Sequence, residues 1–331
     1  MRADTRVGPY DDVFSNGRRG GPTCPPELLA RIADLGLVAR IVVDGLVSGL
    51  HRSPFHGYSA EFSQYRHYRP GDDLKYVDWK LVARTDRVYT KQFRETTNMA
   101  AEIVVDTSAS MGFPLARRSA GAEEGAKAGP GISKLRYAVI AAAALAHLVS
   151  TQGDAVGLTA ARGGSPLHLA PRTGRQQLGR VLAALASLEA HGAWRGVDAI
   201  RGAAERLNRR GLLLVFSDFY DSEDDVFAQL RRAGRMGHEV MLFQMISRDE
   251  LELPYRQDLE LTDLETGQRL AVNAGLARRD YKDAVAAFLE RSRMRAAAEG
   301  FQYSLVITDT PPDRALRSFL LARSQSKRSQ G

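Results

Sequence analysis

The residues Leu212 to Asp218, which read LLLVFSD, decide the fold class of this chain. A short, uninterrupted apolar run of this kind is typical of a strand that is buried on both faces. Such strands belong to parallel sheets that carry helices on either side. The sequence therefore predicts an α/β fold with a doubly wound, mostly parallel sheet.

The sequence on both sides of this run supports the same fold class. From residue 101 onward, strand-like runs alternate with helical segments, and helix 132–149 carries an apolar stripe that suits a sheet-covering helix. The predicted strands are 88–95, 102–106, 155–160, 165–170, 212–217, 239–246 and 302–308, and the predicted helices are 27–47, 132–149, 175–188, 198–209, 221–236, 279–299 and 312–323. Residues 259–272 predict a hairpin that turns at Glu265 to Gln268.

The composition excludes several classes of protein. With 44% hydrophobic and 26% charged residues among 331, the chain is neither disordered nor fibrous. The net charge of +7 permits an acidic partner or a nucleic acid and selects neither. The single cysteine, Cys24, excludes an internal disulfide and fits a reducing compartment. No stretch resembles a signal peptide or a membrane span, so we expect a cytoplasmic protein.

The length predicts about two domains of unequal size. Residues 99–323 are expected to form the doubly wound domain. Residues 27–98 are expected to form a smaller part, with an N-terminal helix and a subdomain rich in aromatic and charged residues. The low-complexity stretch 116–131 predicts a mobile loop, and residues 1–26 and 324–331 predict a flexible arm and a flexible tail.

Polar side chains stand at the ends of two predicted strands. Asp106 closes one strand, with Ser108 and Ser110 in the loop that follows, and Asp218 ends another strand. Open α/β sheets bind ligands beyond the carboxyl ends of their strands. Carboxylate and hydroxyl oxygens are ligands that Mg²⁺ prefers, whereas zinc favours nitrogen and sulfur. The sequence therefore predicts a site for Mg²⁺, or another hard divalent cation, on these four residues.

Two groups of residues resemble known families. The D-x-S-x-S run at 106–110, with Ser217 and Asp218 ending a later strand, resembles the metal-ion-dependent adhesion site of von Willebrand factor A domains. A second group, together with Asp263–Gly267 and Thr308–Asp309, resembles the signature of the domain of unknown function 58 (DUF58) family. The main signature residues are Glu61, Arg66, Tyr68, Arg69, Gly71, Asp72, Asp73, Asp78, Trp79 and Arg84.

The resemblance implies both a partner and an incomplete metal site. Proteins of this family are expected to act with a MoxR-type AAA+ ATPase in the maturation or remodelling of client proteins. Adhesion-site domains add a threonine from the loop before the helix that precedes the second aspartate's strand, and residues 192–198 contain none. Asp198 or Thr173 would have to supply that oxygen. The signature residues are expected either to form a partner-binding surface or to pair internally.

We expect a non-enzymatic, metal-assisted protein-binding module, since the sequence shows no nucleophile and base in a recognisable arrangement. Two alternatives stay open. An aspartate at a strand end is also the nucleophile of haloacid dehalogenase-like phosphatases, although Ser108 stands where those phosphohydrolases carry a second aspartate as general acid. The basic charge and the arginine–aromatic mixture of residues 62–94 would suit nucleic acid, although no reader motif is present.

Overall fold

The structure is a computed structural model, and it describes residues 34–47, 60–69, 77–85, 87–95, 99–114, 132–162, 164–207, 210–220, 223–255 and 257–317. The predicted arm at 1–26, the predicted loop at 116–131 and the predicted tail at 324–331 lie outside these residues. Three signature residues, Gly71, Asp72 and Asp73, also lie outside them.

The secondary structure of the described residues follows most of the predicted pattern. The strands are β1 (Ala60–His67), β2 (Tyr89–Glu95), β3 (Ala100–Val105), β4 (Ala155–Arg162), β5 (Ser165–Arg172), β6 (Leu212–Ser217), β7 (Glu239–Ile246), β8 (Asp258–Thr262), β9 (Arg269–Asn273) and β10 (Gln302–Ile307). The helices are α1 (Leu35–Val47), α2 (Trp79–Thr85), α3 (Lys134–Thr151), α4 (Arg175–Ala186), α5 (Gly196–Arg206), α6 (Glu223–Arg235), α7 (Arg248–Glu252) and α8 (Ala274–Ala298). Residues 312–317 are also helical.

A six-stranded sheet forms the centre of the large domain, in the order β5-β4-β3-β6-β7-β10. All neighbouring strands are parallel except β4 and β5, which are antiparallel. Within this sheet, β3 is the first strand in the chain and lies in the middle. The chain then adds β4 and β5 on one side and β6, β7 and β10 on the other. The predicted doubly wound, mostly parallel sheet is therefore confirmed, and its strand order reverses between β3 and β6.

Two apolar clusters cover the two faces of this sheet. Leu212, Leu214 and Phe216 point into a cluster that α1, α3 and α4 also line. Leu213 and Val215, on the opposite face of the same strand, pack with side chains from α5, α6 and α8. This alternation explains why residues 212–216 of β6 are all apolar, because neither face of the strand meets solvent.

Helix α1 belongs to the large domain rather than to the N-terminal subdomain in which the sequence analysis placed it. Its residues Val38, Val42 and Leu46 are buried in the cluster around α3. The apolar face of α1 packs on the large core around α3. For this reason the helix belongs with the large domain, although the sequence grouped it with residues 60–98.

Two antiparallel hairpin sheets lie outside the central sheet. Strands β1 and β2 pair with each other, and α2 lies between them in the chain. Strands β8 and β9 form the hairpin predicted at 259–272, closed by residues 263–268. No helix among the described residues is both long enough and apolar enough to cross a membrane.

Candidate functional site

The strand order brings Asp106 and Asp218 to adjacent loops. Val105 is in register with Phe216, and the Asp106 amide donates a hydrogen bond to the Phe216 carbonyl at 2.9 Å. Both aspartates are almost fully buried. Ligands of open α/β sheets bind at such a reversal of strand order. The two loops therefore form the candidate site, with Ser108 and Ser110 on the loop after β3.

Hydrogen bonds hold both oxygens of the Asp106 carboxylate. Oδ1 accepts from the Ser108 amide at 2.8 Å, and Oδ2 accepts from the Ser217 hydroxyl at 2.6 Å. Oγ of Ser108 and Oγ of Ser110 lie 2.9 Å apart. Burial, followed by the negative charge of Asp218, raises the pKa of Asp106 from 3.8 to about 7. The site therefore brings hydroxyl oxygens together beside a buried carboxyl group whose pKa lies well above its ordinary value.

The structure adds a buried lysine that the sequence analysis missed. Nζ of Lys134 donates to Asp218 Oδ2 at 2.8 Å and to Glu250 Oε1 at 2.5 Å, and the lysine side chain is 0% exposed. Burial acts to lower the pKa of this ammonium, but the charges of Asp218 and Glu250 outweigh it and raise the pKa above its ordinary value. Lys134 thus remains charged and neutralises part of the acidic cluster.

One signal in the sequence pointed to this lysine. Lys134 is the first residue of α3, directly after the N-cap Ser133. A cation there is disfavoured by the positive end of the helix dipole, so a lysine in that position calls for an acidic partner. Glu250 carries no comparable signal, because helix capping is already enough to explain a glutamate at this position. Its Oε2 accepts a hydrogen bond from the Ser247 amide in the capping box of α7.

Asp198 lies at the same edge of the sheet, and its carboxylate is already engaged. The loop before α5 is joined to the loop after β3, because the Ala109 amide donates to the Gly192 carbonyl at 2.7 Å. The Asp198 carboxylate, however, accepts from Arg195 at 2.7 Å and from Arg201 at 2.5 Å. Asp198 would have to exchange these arginines to become a metal ligand.

The structure does not bring Thr173 to the site. This threonine follows β5, whose last residue Arg172 pairs with Val156 near the start of β4. Val156 in turn pairs with Ala101 at the start of β3. Because β5 runs antiparallel to β4, Thr173 lies at the edge of the sheet opposite to Asp106. The expectation that it supplies the missing oxygen is therefore corrected.

The donor set suits a hard cation only in part. Asp106, Ser108 and Ser110 offer oxygens alone, which is the chemistry that Mg²⁺ prefers. Lys134, by contrast, already pairs with the second carboxylate, Asp218. In the part of the chain that the structure describes, no group of three histidine, cysteine or acidic side chains could hold a metal ion. A cation here would depend on the serine hydroxyls.

Of the main signature residues, those that the structure describes lie in the subdomain of β1, α2 and β2. Tyr65 donates its hydroxyl to Asp78 Oδ2 at 2.7 Å, and Asp78 Oδ1 accepts from the amides at the start of α2. The side chains of Trp79, Arg84 and Arg69 are exposed, Arg66 and Tyr68 are half-buried, and Glu61 pairs through its backbone with Arg94. This part of the signature therefore combines internal pairing with an exposed surface.

A second buried polar cluster lies between β3 and β4, and the sequence analysis did not find it. The side chain of Glu102 is 0% exposed. Its Oε1 accepts from the Thr159 hydroxyl at 2.5 Å, and Arg206 donates to that hydroxyl oxygen at 2.9 Å. Oε2 of Glu102 has no hydrogen-bond partner among the described residues. Burial raises the pKa of Glu102 from 4.5 to about 7, although Thr159 and Arg206 oppose the shift.

Replacing Glu102 by glutamine is expected to stabilise the protein at pH 8 by about 3 kcal/mol. Between pH 4.5 and pH 7 the unfolded chain loses the proton of Glu102 while the folded chain keeps it. Wild-type stability therefore falls as the pH rises through this window, and the Glu102→Gln variant escapes that loss. Urea unfolding at pH 5 and pH 8 measures both effects, with the exposed Glu260→Gln as control. Destabilisation by Glu102→Gln at pH 8 would contradict the raised pKa.

The strand order, with a polar loop where it reverses, defines a class: a doubly wound α/β domain with a mostly parallel sheet. The chain belongs to the DUF58 family, described as "Protein of unknown function DUF58", whose model matches residues 64–291. Its relatives include the uncharacterized proteins Rv1480 of Mycobacterium tuberculosis and Mb1516 of Mycobacterium bovis. Each is 32% identical over 248 residues, which cover 73% of this chain and 72% of the relative.

Two solved structures match the chain more distantly. The conserved hypothetical protein BatB from Bacteroides thetaiotaomicron is 13% identical, with a TM-score of 0.43 and coverage of 69% of this chain and 99% of that one. The SpRpn10 VWA domain is also 13% identical, with a TM-score of 0.37 and coverage of 66% and 94%.

Proposed function

We propose that this protein is a non-enzymatic protein-interaction module of the cytoplasm, which binds a MoxR-type AAA+ ATPase at the Asp106 site and acts with it in the maturation or remodelling of client proteins. The observation that carries the proposal is the group of oxygens on Asp106, Ser108 and Ser110, placed where the strand order reverses. That position is where open α/β sheets receive ligands. Membership of the DUF58 family supports the choice of partner through the expectation attached to that family.

A divalent cation, Mg²⁺ by preference, belongs to this proposal. Asp106, Ser108 and Ser110 would hold it, and Asp218 would stand on the other side, restrained by Lys134. The bound cation would supply positive charge for a carboxylate of the partner. The hydrogen bonds from the Ser108 amide and the Ser217 hydroxyl orient Asp106 for such a role.

The test is binding of the purified chain to the MoxR-type ATPase of the same organism, by size exclusion and by titration, with Mg²⁺ or with EDTA. We expect the Ser108→Ala/Ser110→Ala variant to bind about tenfold more weakly, because comparable losses of affinity follow changes around metal sites. The variant keeps every charge of the site. Ser165→Ala, at an exposed serine on β5, is the control and should bind like the wild type.

Three results would each overturn part of the proposal. Absence of any complex, in Mg²⁺ and in EDTA, would remove the ATPase as a partner. Equal binding by the wild type and the double serine variant would show that the complex forms away from the Asp106 site. If binding is equal in Mg²⁺ and in EDTA but the variant still binds more weakly, the cation has no part in the interaction and the rest of the proposal stands.

A further inference from the structure

The short helix α2 exposes an apolar surface that the described residues leave uncovered. Its first residue, Trp79, is 62% exposed, and none of its seven residues is buried. Val88, in the turn before β2, is 40% exposed. The Asp78 amide donates to the Tyr89 carbonyl at 3.1 Å, so the start of α2 lies beside the start of β2. Short helices owe their stability to packing, and exposed tryptophans are enriched in binding surfaces.

Three cations border this apolar surface. Lys80 and Arg84 are exposed and lie one turn apart on the same side of α2, and Arg87 is exposed in the turn that follows. Among the described residues, none of these three side chains takes part in a salt bridge, whereas Arg231, Arg248 and Arg293 each have an acidic partner. Like charges one turn apart destabilise a helix. An anionic partner would relieve that repulsion.

The neighbouring aromatic rings distinguish between two kinds of anionic partner. Surfaces that bind single-stranded nucleic acid present successive aromatic faces to successive bases. Here Tyr65 packs edge-on against Tyr89 with ring centres 6.4 Å apart, and His67 lies against Tyr89 at 4.6 Å. Tyr65, although 43% exposed, and His67 therefore direct part of their ring surface at Tyr89, whereas the other exposed residues that flank Trp79 on α2 and in the turn after it include no aromatic ring. The arrangement favours a protein segment with acidic and apolar side chains.

We propose that Trp79, Lys80, Arg84, Arg87 and Val88, the α2 surface, bind an acidic segment of a partner protein. An apolar side chain of that segment packs on Trp79 and Val88, and its carboxylates pair with the three cations. The proposal goes beyond the proposed function, because this surface lies in the N-terminal subdomain and uses no residue of the Asp106 site. It also gives a role to Trp79 and Arg84, which are two of the exposed signature residues.

The experiment titrates the full chain into a labelled synthetic peptide of alternating glutamate and leucine residues, followed by fluorescence anisotropy. The second readout is Trp79 emission in a Trp194→Phe background, since the chain has two tryptophans and the Trp194 ring packs against Phe219. We expect saturable binding that weakens with salt, and a blue shift of Trp79 emission. The Lys80→Glu/Arg84→Glu/Arg87→Glu variant should bind about tenfold more weakly or worse, because it replaces three attractions by repulsions.

The matched control reverses three exposed cations on α8, in Arg279→Glu/Lys282→Glu/Arg291→Glu. It changes the net charge by the same amount and should leave binding unchanged. Equal weakening by the control would reduce the effect to net charge and overturn the proposal. Absence of saturable binding would overturn it as well. Tighter binding of a polythymidine strand than of the peptide, lost in the α2 variant, would assign the surface to nucleic acid instead. None of these outcomes depends on the Asp106 site.

Discussion

Replacing Lys134 by methionine is expected to lower the free energy of unfolding by about 3–5 kcal/mol, the usual effect of breaking a buried ion pair from one side. The lysine side chain is 0% exposed, and its ammonium contacts two carboxylates. Methionine fills much of the same volume but leaves Asp218, itself 2% exposed, without its cation. Urea unfolding at pH 7, followed by circular dichroism, measures the loss.

A triple variant separates this charge effect from a packing effect. In Lys134→Met/Asp218→Asn/Glu250→Gln the cation and both anions are absent, so most of the lost stability should return. Lys282→Met, at an exposed lysine of α8, is the control and should stay close to the wild type. Wild-type stability of the single Lys134→Met variant would contradict a structural role for the ion pair.

Replacing Gly157 by alanine is expected to lower the free energy of unfolding by about 3 kcal/mol, at the upper end of overpacking effects. The added Cβ would lie 2.0 Å from Glu102 Oε2 and 2.8 Å from the Leu169 carbonyl oxygen. The second contact is with backbone, and it lies where the pairing of β4 with β5 is irregular. The strand cannot retreat without losing its hydrogen bonds to β3 or β5.

Gly179→Ala provides the matched control for this substitution. Gly179 lies within α4, and a Cβ built there meets no atom within 4 Å. In a helix, alanine is favoured over glycine by up to about 1 kcal/mol, so this variant should be slightly more stable. Thermal and urea unfolding of the two variants should therefore move in opposite directions. A Gly157→Ala protein as stable as the wild type would show that Glu102 has room to move.

The candidate site was predictable where it depends on strand ends. Asp106 and Asp218 each follow a run of apolar residues, and parallel strands place such ends at one edge of the sheet. Lys134 and Glu250 were not predictable in this way. Lys134 lies 84 residues from Asp218 and 116 residues from Glu250 in the chain, so no local pattern links them.

The predicted elements differ from the structure where burial is weak. Strand β1 and helix α2 were not predicted, because α2 buries none of its residues and so shows little apolar periodicity.

Helix α1 was predicted as a helix but was grouped with the smaller N-terminal part instead of with the large domain. Its apolar face is visible in the sequence, whereas the surface that covers it, mainly on α3, is not.

The sequence by itself determined the fold class and the position of the oxygen cluster, because both follow from apolar runs and the residues that end them. Only the tertiary structure decided the charge balance of that cluster and the set of available ligands. Lys134 neutralises Asp218 across the fold, and the reversed direction of β5 carries Thr173 to the opposite edge. The physical reason is that strand burial is a local property, whereas ion pairing and strand direction depend on segments far apart in the chain.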